Sequence, residues 1–453
     1  MVVQKTIYVC NNCGAEALKW QGQCFECKEW NTFVDRPVEA KSSQSKHGYS
    51  GKNSQIMKLS EISLSEVPRF TTGVSEFDRV LGGGVVPGSI SLIGGDPGIG
   101  KSSILLQVMT FISIEHKALY VTGEESLEQI ALRAERMDIR SDTLTLMLET
   151  NVENIVSSAK KINPKIIVID SIQTMQLHSA QCAPGGVVQT RECAAYLSHY
   201  AKNNQCAIFL VGHVTKSGDV AGPRVLEHIV DTVIFLEGRS DSRYRMMRSL
   251  KNRFGAVNEL GIFSMTAKGM REVKNPSAIF LNRSAIDISG SVIVSIWEGS
   301  RALLAEVQVL VDDNFGDQTK RVCVGVDNNR ISMLLAVMNK HGSTPIVGKD
   351  IFINVVGGVK IFETSIDLAL VFSLFSSYKE ISLPKDLVVF GEVGLSGEIR
   401  PVPYGQERIF EAKKHGFKHA IVPYANKPKT AINGMNIVAI SSILDAMKYM
   451  EEM

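Results

Sequence analysis

The sequence has no long apolar run and almost no net charge. No stretch of its 453 residues approaches the roughly 18–20 apolar residues that a bilayer-spanning helix requires. The 49 Lys and Arg residues nearly balance the 47 Asp and Glu residues, which excludes a uniformly basic nucleic-acid-packaging protein. The first residues also lack the charged and apolar regions of a secretion signal. We therefore expect a cytoplasmic chain with no membrane partner, on which any surface for nucleic acid is local.

Cysteine is scarce, and half of it lies near the start of the chain. Eight cysteines are too few for a disulfide scaffold in a sequence of this length. Four of them form the two pairs Cys10-Asn-Asn-Cys13 and Cys24-Phe-Glu-Cys27, with ten residues between the pairs. This spacing is typical of a zinc ribbon with four thiolate ligands and no open ligand position. We predict a structural Zn²⁺ on Cys10, Cys13, Cys24 and Cys27, with a redox Cys-x-x-Cys as the alternative.

Composition divides the chain into four segments. Residues 1–36 contain too few aliphatic residues to form a core without a metal, and residues 37–56 have the Ser, Lys and Gly content of a flexible linker. In residues 57–280, short apolar runs alternate with stretches long enough for helices, which predicts an α/β domain with a largely parallel sheet. Residues 281–453 have a different pattern of apolar and polar residues and are predicted to form a separate α+β domain. The predicted buried strands are residues 89–93, 118–122, 166–169, 207–211 and 232–236.

A glycine-rich loop between a predicted strand and a predicted helix is the firmest functional signal. Residues 95–102 read Gly-Asp-Pro-Gly-Ile-Gly-Lys-Ser, which fits the phosphate-loop pattern G-x-x-x-x-G-K-[ST]. Its amides and the following helix N-terminus would hold phosphates, Lys101 would reach the β- and γ-oxygens, and Ser102 would ligate Mg²⁺. We therefore predict ATP and Mg²⁺ as cofactors. The predicted phosphate-binding residues are Gly95, Asp96, Pro97, Gly98, Ile99, Gly100, Lys101, Ser102 and Ser103.

Polar residues follow three other predicted strands and would meet this loop at one sheet edge. Asp170 ends an apolar strand, as needed to hold the water shell of Mg²⁺. Glu124 is predicted to activate the attacking water, with Glu125 as the alternative, or with the two acids serving only a helix N-terminus. A kinase would instead aim a substrate hydroxyl at the γ-phosphate. His213 is predicted to sense the γ-phosphate, unless it is a histidine of the core.

A basic stretch between residues 239 and 253 contains six basic residues and one acid and ends in Lys251-Asn-Arg253-Phe-Gly255. A basic hairpin is more often a solvated surface than a site. In a nucleotide-hydrolysing domain, however, a cation offered to a neighbouring subunit's γ-phosphate acts as an arginine finger. We predict this role for Lys251 and Arg253.

Four stretches carry a resemblance to a known family. They are the ribbon with Lys19-Trp20 and Glu29-Trp30-Asn-Thr, residues 72–84 (Thr-Gly-Val-Ser-Glu-Phe-Asp-Arg-Val-Leu-Gly-Gly-Gly), the phosphate loop, and residues 251–255 (Lys-Asn-Arg-Phe-Gly). Together they resemble the bacterial RadA (Sms) family of DNA repair proteins over nearly the whole chain. The resemblance implies a RecA-like ATPase core, a homo-oligomeric, hexameric ring, and ATP-dependent motion on single-stranded or branched DNA. It also implies branch migration during homologous recombination, with a recombinase or replicative helicase as a partner.

The same resemblance implies roles for individual residues. The family's nucleotide-binding lysine falls on Lys101, its Mg²⁺-side acid on Asp170, and its signature lysine and arginine on Lys251 and Arg253. The DNA-binding loops would be residues 174–190 and 216–224. Because these loops hold few basic residues, backbone amides and a few side chains would have to bind the DNA phosphates. The expected DNA-contacting side chains are Arg191, Lys216, Arg224, Lys251 and Arg253.

The C-terminal segment resembles the proteolytic domain of the Lon protease, through residues 391–398 (Gly-Glu-Val-Gly-Leu-Ser-Gly-Glu) and 400–408 (Arg-Pro-Val-Pro-Tyr-Gly-Gln-Glu-Arg). Active enzymes of that type pair a serine with a lysine that removes the hydroxyl proton. The serine position falls on Ser365, but the lysine position falls on Gln406, and Lys413 and Lys414 lie two turns further along the predicted helix. We therefore expect a non-proteolytic scaffold domain.

These observations favour a ring-forming, DNA-dependent ATPase of recombinational repair. The expected fold class is an α/β, RecA-like P-loop core with an N-terminal four-cysteine zinc ribbon and a C-terminal α+β, Lon-protease-like domain. An ATP-dependent, Lon-like serine protease is the first alternative. The second is a nucleotide-gated binding module with negligible turnover.

Overall fold

The computed structural model describes residues 6–17, 19–37, 68–178, 186–212, 226–238, 242–277, 281, 288–314, 316, 318–346 and 348–452. The predicted residues His213, Lys216 and Arg224 lie outside these ranges, as do most of the predicted linker and much of the two predicted DNA loops. The chain divides into two compact units, Met1–Val273 and Lys274–Met453.

The N-terminal ribbon is a three-stranded antiparallel sheet with strand order β2-β1-β3. Its strands are β1 (Thr6–Cys10), β2 (Glu16–Ala17) and β3 (Phe33–Pro37). The buried side chains of the ribbon are Val9, Cys10, Ala17, Cys24 and Phe33 among the residues whose packing is described. Because so small a core cannot offset the conformational entropy of ordering the segment, the ribbon depends on the cysteine cluster.

The first unit also contains a nine-stranded sheet with strand order β12-β11-β10-β9-β4-β8-β7-β5-β6. Strands β9, β4, β8, β7, β5 and β6 are parallel, and β10 to β12 continue the sheet in antiparallel fashion. The strands are β4 (Ile90–Gly95), β5 (Ala118–Thr122), β6 (Thr145–Leu148), β7 (Ile166–Asp170), β8 (Ala207–Val211), β9 (Thr232–Glu237), β10 (Tyr244–Asn252), β11 (Leu260–Thr266) and β12 (Gly269–Glu272). The predicted, largely parallel sheet is confirmed.

Helices cover both faces of this sheet, so β4, β5, β7 and β8 are buried at every residue. Alternate side chains of each strand enter different cores: Tyr120 packs with one face, and its neighbour Val121 with the other. The helices of the first unit are α1 (Ser75–Leu81), α2 (Lys101–Ile112), α3 (Leu127–Arg136), α4 (Val152–Ile162) and α5 (Val187–Asn204). This layering brings all the parallel strand ends to one edge of the sheet.

The second unit is an α+β domain built on a seven-stranded mixed sheet, ordered β15-β16-β14-β13-β17-β20-β21, with a separate two-stranded ribbon of β18 and β19. Its strands are β13 (Ser291–Glu298), β14 (Arg301–Asp312), β15 (Arg321–Val324), β16 (Asp350–Val355), β17 (Leu387–Val389), β18 (Glu392–Val393), β19 (Ile399–Arg400), β20 (His419–Pro423) and β21 (Asn436–Ile440). Its helices are α6 (Asn328–His341), α7 (Asp367–Lys379), α8 (Gly405–Lys414) and α9 (Ile443–Glu452). Helix α7 is the central element, since its first ten residues are all buried.

No helix within the described ranges combines the length and the hydropathy that a bilayer crossing requires.

Candidate nucleotide and metal sites

The predicted phosphate loop leaves β4 at Gly95 and enters α2 at Lys101. Gly95 and Gly100 both have positive φ angles, of 147° and 115°. A Cβ atom on Gly95 would lie 2.6 Å from the carbonyl oxygen of Leu236, and one on Gly100 would lie 2.8 Å from Cε of Met265. Both positions therefore require glycine, because the loop turns tightly between the end of β9 and the β11–β12 hairpin.

Lys101 lies within the loop that it serves. Its side chain is buried, and its Nζ donates to the backbone carbonyls of Gly95 at 2.7 Å and of Asp96 at 3.0 Å. Burial lowers the pKa of Lys101, and the carboxylates of Asp170, Asp96 and Glu124 oppose that shift. A lysine at the N-terminus of α2, beside the backbone N–H groups of a glycine-rich loop, is the donor set that a polyphosphate needs, so these residues fit ATP.

Asp170 ends β7 and is almost fully buried. It lies opposite Thr122 in the register between β7 and β5. The hydroxyl of Tyr120 donates to Oδ2 of Asp170 at 2.5 Å. The carboxylate also interacts electrostatically with Lys101, which brings the predicted metal-side acid and the phosphate loop to one edge of the sheet, as expected. The contact with Tyr120 was not predicted, because the sequence presents that residue only as one of five apolar strand positions.

The structure distinguishes the two adjacent glutamates that follow β5. Glu125 forms an ion pair with Arg133 of α3, and its backbone carbonyl accepts the hydroxyl of Thr122 at 2.8 Å. Glu124 is exposed instead, and it accepts the hydroxyl of Ser171, the residue after Asp170. The carboxylate of Glu124 is thus the one that lies beside Ser171 at the phosphate-loop edge, and its role in activating water stays a prediction. Arg133, which the sequence did not single out, is what holds Glu125 away.

Lys251 and Arg253 lie at the opposite edge of the sheet from the phosphate loop of the same chain. Asn252, between them, pairs with Thr232 at the start of β9, and Thr232 pairs with Ser91 near the start of β4. The loop begins where β4 ends, at Gly95, four residues after Ser91, or about 13 Å along a strand, and Lys251 lies one residue nearer, level with Leu92. The structure therefore does not bring these two cations to the nucleotide site of their own chain.

Both side chains are held by the segment that precedes β9. The Nζ of Lys251 donates to the carbonyls of Glu227 and, at 2.8 Å, Val230. Arg253 donates to Oδ1 of the buried Asp231 at 3.1 Å while about half of its side chain stays exposed. Burial, and then the neighbouring Arg253, lower the pKa of Lys251. The segment therefore holds the charged tips of both side chains, with Lys251 half-buried and Arg253 at the surface.

The rest of this motif packs against the triple glycine after α1. A Cβ atom on Gly255 would lie 2.7 Å from the Cα atom of Gly82, so only glycine permits this approach. Arg69 links these two backbone segments, because its guanidinium donates to the carbonyl of Gly82 and, at 2.7 Å, to that of Phe254. Two stretches that are distant in the sequence, residues 82–84 and 251–255, thus form one structural feature.

Among the predicted DNA-contacting side chains, Arg191 lies on α5. Its guanidinium forms an ion pair with Glu192 at 3.2 Å, with both side chains well exposed. An exposed pair of this kind contributes little and is easily exchanged for another anion.

The four predicted zinc ligands lie together in the ribbon. Their sulfur atoms are all within 4.8 Å of one another, with 3.7 Å between Cys10 and Cys27 and 3.4 Å between Cys13 and Cys24. A tetrahedral ion with bonds of about 2.3 Å requires sulfur separations of roughly 3.8 Å, so the cluster fits Zn²⁺. Burial raises the pKa of Cys10, but the Thr32 side chain and the backbone amides of Cys13 and Asn12 outweigh it and lower the pKa to about 6. That environment favours a thiolate at Cys10. Burial, and then the Cys24 side chain, raise the pKa of Cys13 to about 12, so this thiol loses its proton only when zinc binds.

In the second unit, Ser365 is surrounded by an ion pair rather than by a lysine. Its hydroxyl donates to Glu363 and accepts from Arg408 at 3.2 Å, and the serine is almost fully buried. Gln406, Lys413 and Lys414 are all exposed. Sequence reasoning missed Arg408, although it stands two residues after Gln406, because nothing in the pattern indicates that α8 buries this arginine completely.

The fold and the loop define a RecA-like P-loop ATPase with a zinc ribbon and a C-terminal domain of the Lon-like type. Three family models match: the Rubredoxin metal binding domain at residues 8–35, the AAA domain at residues 63–219, and subunit ChlI of Mg-chelatase at residues 326–426. The predicted fold class and the predicted cofactors ATP, Mg²⁺ and Zn²⁺ are thereby confirmed. The chain is an ATP-hydrolysing enzyme.

The relatives identify the family. DNA repair protein RadA of Haemophilus influenzae is 56% identical over 453 residues, and that of Escherichia coli is 53% identical over 455 residues, each match covering 99% of both chains. The chain therefore belongs to the RadA family of DNA repair proteins. A KaiC-like protein from Pyrococcus horikoshii is also similar, at 20% identity and a TM-score of 0.39, over 46% of this chain and 99% of that one.

Proposed function

We propose that this protein is a DNA-dependent ATPase that assembles into a hexameric ring, moves on single-stranded or branched DNA and promotes branch migration in homologous recombination. Lys101 and Ser102 bind phosphate and Mg²⁺, Asp170 positions the metal, and Glu124 activates water. Such a protein would work in the cytoplasm, and a recombinase or replicative helicase would be a suitable partner. Its relatives are named as DNA repair proteins, which supports a role in DNA repair.

The observation that carries the proposal is the position of Lys251 and Arg253. Both lie at the end of the sheet where β4 begins: Lys251 is about 10 Å of strand, and Asn252, which precedes Arg253, about 13 Å of strand, from the phosphate loop of their own chain. Their side chains are nevertheless fixed by Val230 and Asp231, and Arg253 remains half exposed. Cations that are held in place but cannot reach their own nucleotide are suited to a neighbouring subunit's nucleotide.

A contact of this kind joins unlike faces of identical subunits. One face carries the phosphate loop, and the other carries Lys251 and Arg253. A head-to-tail contact repeats until it closes, which produces a ring when the rotation between subunits permits closure. A site completed by the neighbour also gives the ring a means of passing nucleotide state from one subunit to the next. This coupling is what stepwise movement along DNA requires.

The DNA surface is assigned to Arg191, Lys216 and Arg224, together with Lys251 and Arg253. The Arg191 side chain is well exposed and its ion pair with Glu192 is weak, so a DNA phosphate can replace Glu192 at little cost. With a net charge of only +2, the chain cannot bind DNA through its overall charge. We therefore expect DNA binding to depend on these local cations and to weaken steeply with added salt.

The surroundings of Ser365 argue against a protease. A serine nucleophile needs a neighbouring base that is free to take its proton. Glu363 accepts the Ser365 hydroxyl, but both of its carboxylate oxygens already accept from Arg408, which stays protonated, and Oε1 also accepts from the backbone N–H of Trp297. In this chain Ser365 is buried against Glu363 and Arg408. We therefore assign the second unit a scaffolding role, with no peptide hydrolysis.

A subunit-mixing experiment tests the proposal. Lys101→Ala removes the phosphate-loop cation and keeps Arg253, while Arg253→Ala does the reverse. Each variant alone should lose DNA-stimulated ATP hydrolysis, by 10³-fold or more for a finger residue. Co-expressed, the two should regain activity, because about one quarter of randomly formed contacts join an intact loop to an intact Arg253. The matched control pairs Arg253→Ala with a chain carrying both substitutions, which offers no intact Arg253.

Two outcomes would contradict the proposal. If the mixed variants hydrolyse ATP no faster than the separate variants added together, Arg253 does not act between subunits. If wild-type turnover is unchanged by rising single-stranded DNA concentration while native mass reveals a single subunit, the chain is a nucleotide-gated binding module instead of a motor.

A further inference from the structure

Tyr120 makes a contact with the predicted metal-side acid that the function described so far does not use. The residue is in the middle of β5, 1% exposed, and packed among the apolar side chains of one sheet face. Its hydroxyl donates to Oδ2 of Asp170 at 2.5 Å, the length of a hydrogen bond to a charged oxygen. Burial, and then the Asp170 carboxylate, raise the pKa of Tyr120 well above its ordinary value. The hydroxyl is the donor of this bond, and the Asp170 carboxylate is its acceptor.

We infer that Tyr120 is a positioning residue for Mg²⁺: its hydroxyl fixes the Asp170 carboxylate so that the other oxygen faces the phosphate loop. The inference rests on the proposed role of Asp170. A carboxylate at a strand end rotates about its Cβ–Cγ bond unless one oxygen is held. Because Tyr120 holds Oδ2, Oδ1 is the atom that remains for the water shell of the metal.

The position of Tyr120 explains why the contact is rigid. The strands β5 and β7 are neighbours in register, with Tyr120 opposite Val168 and Thr122 opposite Asp170. The Tyr120 side chain therefore spans two residues along the strand direction, from the level of Val168 to that of Asp170, where its hydroxyl contacts the carboxylate. Its own rotation is blocked by a closely packed core. Partners that orient a metal-binding group in this way contribute about 10–100-fold to metal affinity or activity.

The test is the substitution Tyr120→Phe, which removes one oxygen atom and keeps the ring. Binding of a fluorescent, non-hydrolysable ATP analogue to the full chain is measured in EDTA and then across a Mg²⁺ titration. We expect the half-saturating Mg²⁺ concentration to rise about 10-fold, with binding in EDTA unchanged. The matched control is Tyr200→Phe, which removes the hydroxyl of another buried tyrosine, on α5, and should alter neither measurement.

The outcomes separate this inference from the function on which it rests. A wild-type Mg²⁺ titration for Tyr120→Phe, together with a shifted titration for Asp170→Asn, overturns the inference alone. Equal losses of binding with and without Mg²⁺ also overturn it, because they indicate a packing role. A wild-type Mg²⁺ titration for Asp170→Asn overturns the assignment of Asp170 itself.

A second comparison covers the case in which Tyr120→Phe does not fold. An unpaired amide in the core is less costly than an unpaired carboxylate, so Tyr120→Phe is better tolerated together with Asp170→Asn. If Tyr120 acts only through Asp170, this double variant and Asp170→Asn alone should give the same Mg²⁺ titration and the same binding in EDTA. A further loss in the double variant would overturn the inference.

Discussion

The substitution Arg408→Met should destabilise the second unit strongly. The Arg408 side chain is fully buried and donates to both carboxylate oxygens of Glu363, at 2.9 and 2.8 Å. It also donates to the carbonyls of Ser295 and Pro403, at 2.5 and 3.0 Å. Methionine keeps much of the apolar volume but leaves the carboxylate and both carbonyls without this donor. Breaking a buried ion pair by removing one partner costs about 3–5 kcal/mol.

This cost corresponds to a fall in melting temperature of about 6–20 °C, since 1 kcal/mol shifts a domain of this size by roughly 2–4 °C. Differential scanning calorimetry of the full chain measures it. The transition that bound nucleotide raises marks the ATPase unit and serves as an internal reference. The matched control is Arg400→Met, because Arg400 pairs with Glu398 at the surface with more than half of its side chain exposed. Equal transitions for the two variants would refute the reasoning.

Two other predictions concern the metal and the water-activating acid. Chelation of zinc should unfold the ribbon and change the fluorescence of Trp20 and Trp30, while the melting transition of the ATPase unit stays the same. The substitution Cys10→Ser should produce the same change in fluorescence. Tryptophan fluorescence that is unchanged by chelator would contradict the zinc site. Glu124→Gln should lower ATP turnover by about 10²-fold or more while nucleotide binding persists, whereas Glu125→Gln should have a small effect because Glu125 is engaged with Arg133. Steady-state hydrolysis of both variants measures this, and the reverse ranking would reject Glu124.

Much of the fold was predictable because the strands of the ATPase sheet are buried on both faces. Such strands must be continuously apolar, so β5 and β8 begin and end at the predicted residues. The antiparallel strands β10 to β12 were harder to predict, since each is only partly buried and β10 carries a bulge between Ser249 and Lys251. The short strand β6 was missed because only intermediate and exposed residues form it.

The sequence by itself determined the chemistry of the phosphate loop, the four-thiolate cluster and the family, because each depends on residue types at fixed short spacings. Spacing along the chain sets the geometry of a loop or a zinc knuckle directly.

Only the tertiary structure decided which side chains meet across the sheet. The pairing of β5 with β7 brings Tyr120 to Asp170, and the antiparallel return of β10 carries Arg253 to the edge opposite the phosphate loop. In the same way, the burial of α8 brings Arg408 to Glu363 and Ser365. These contacts depend on strand order and register, which are fixed by the packing of the whole domain and leave no local pattern in the sequence.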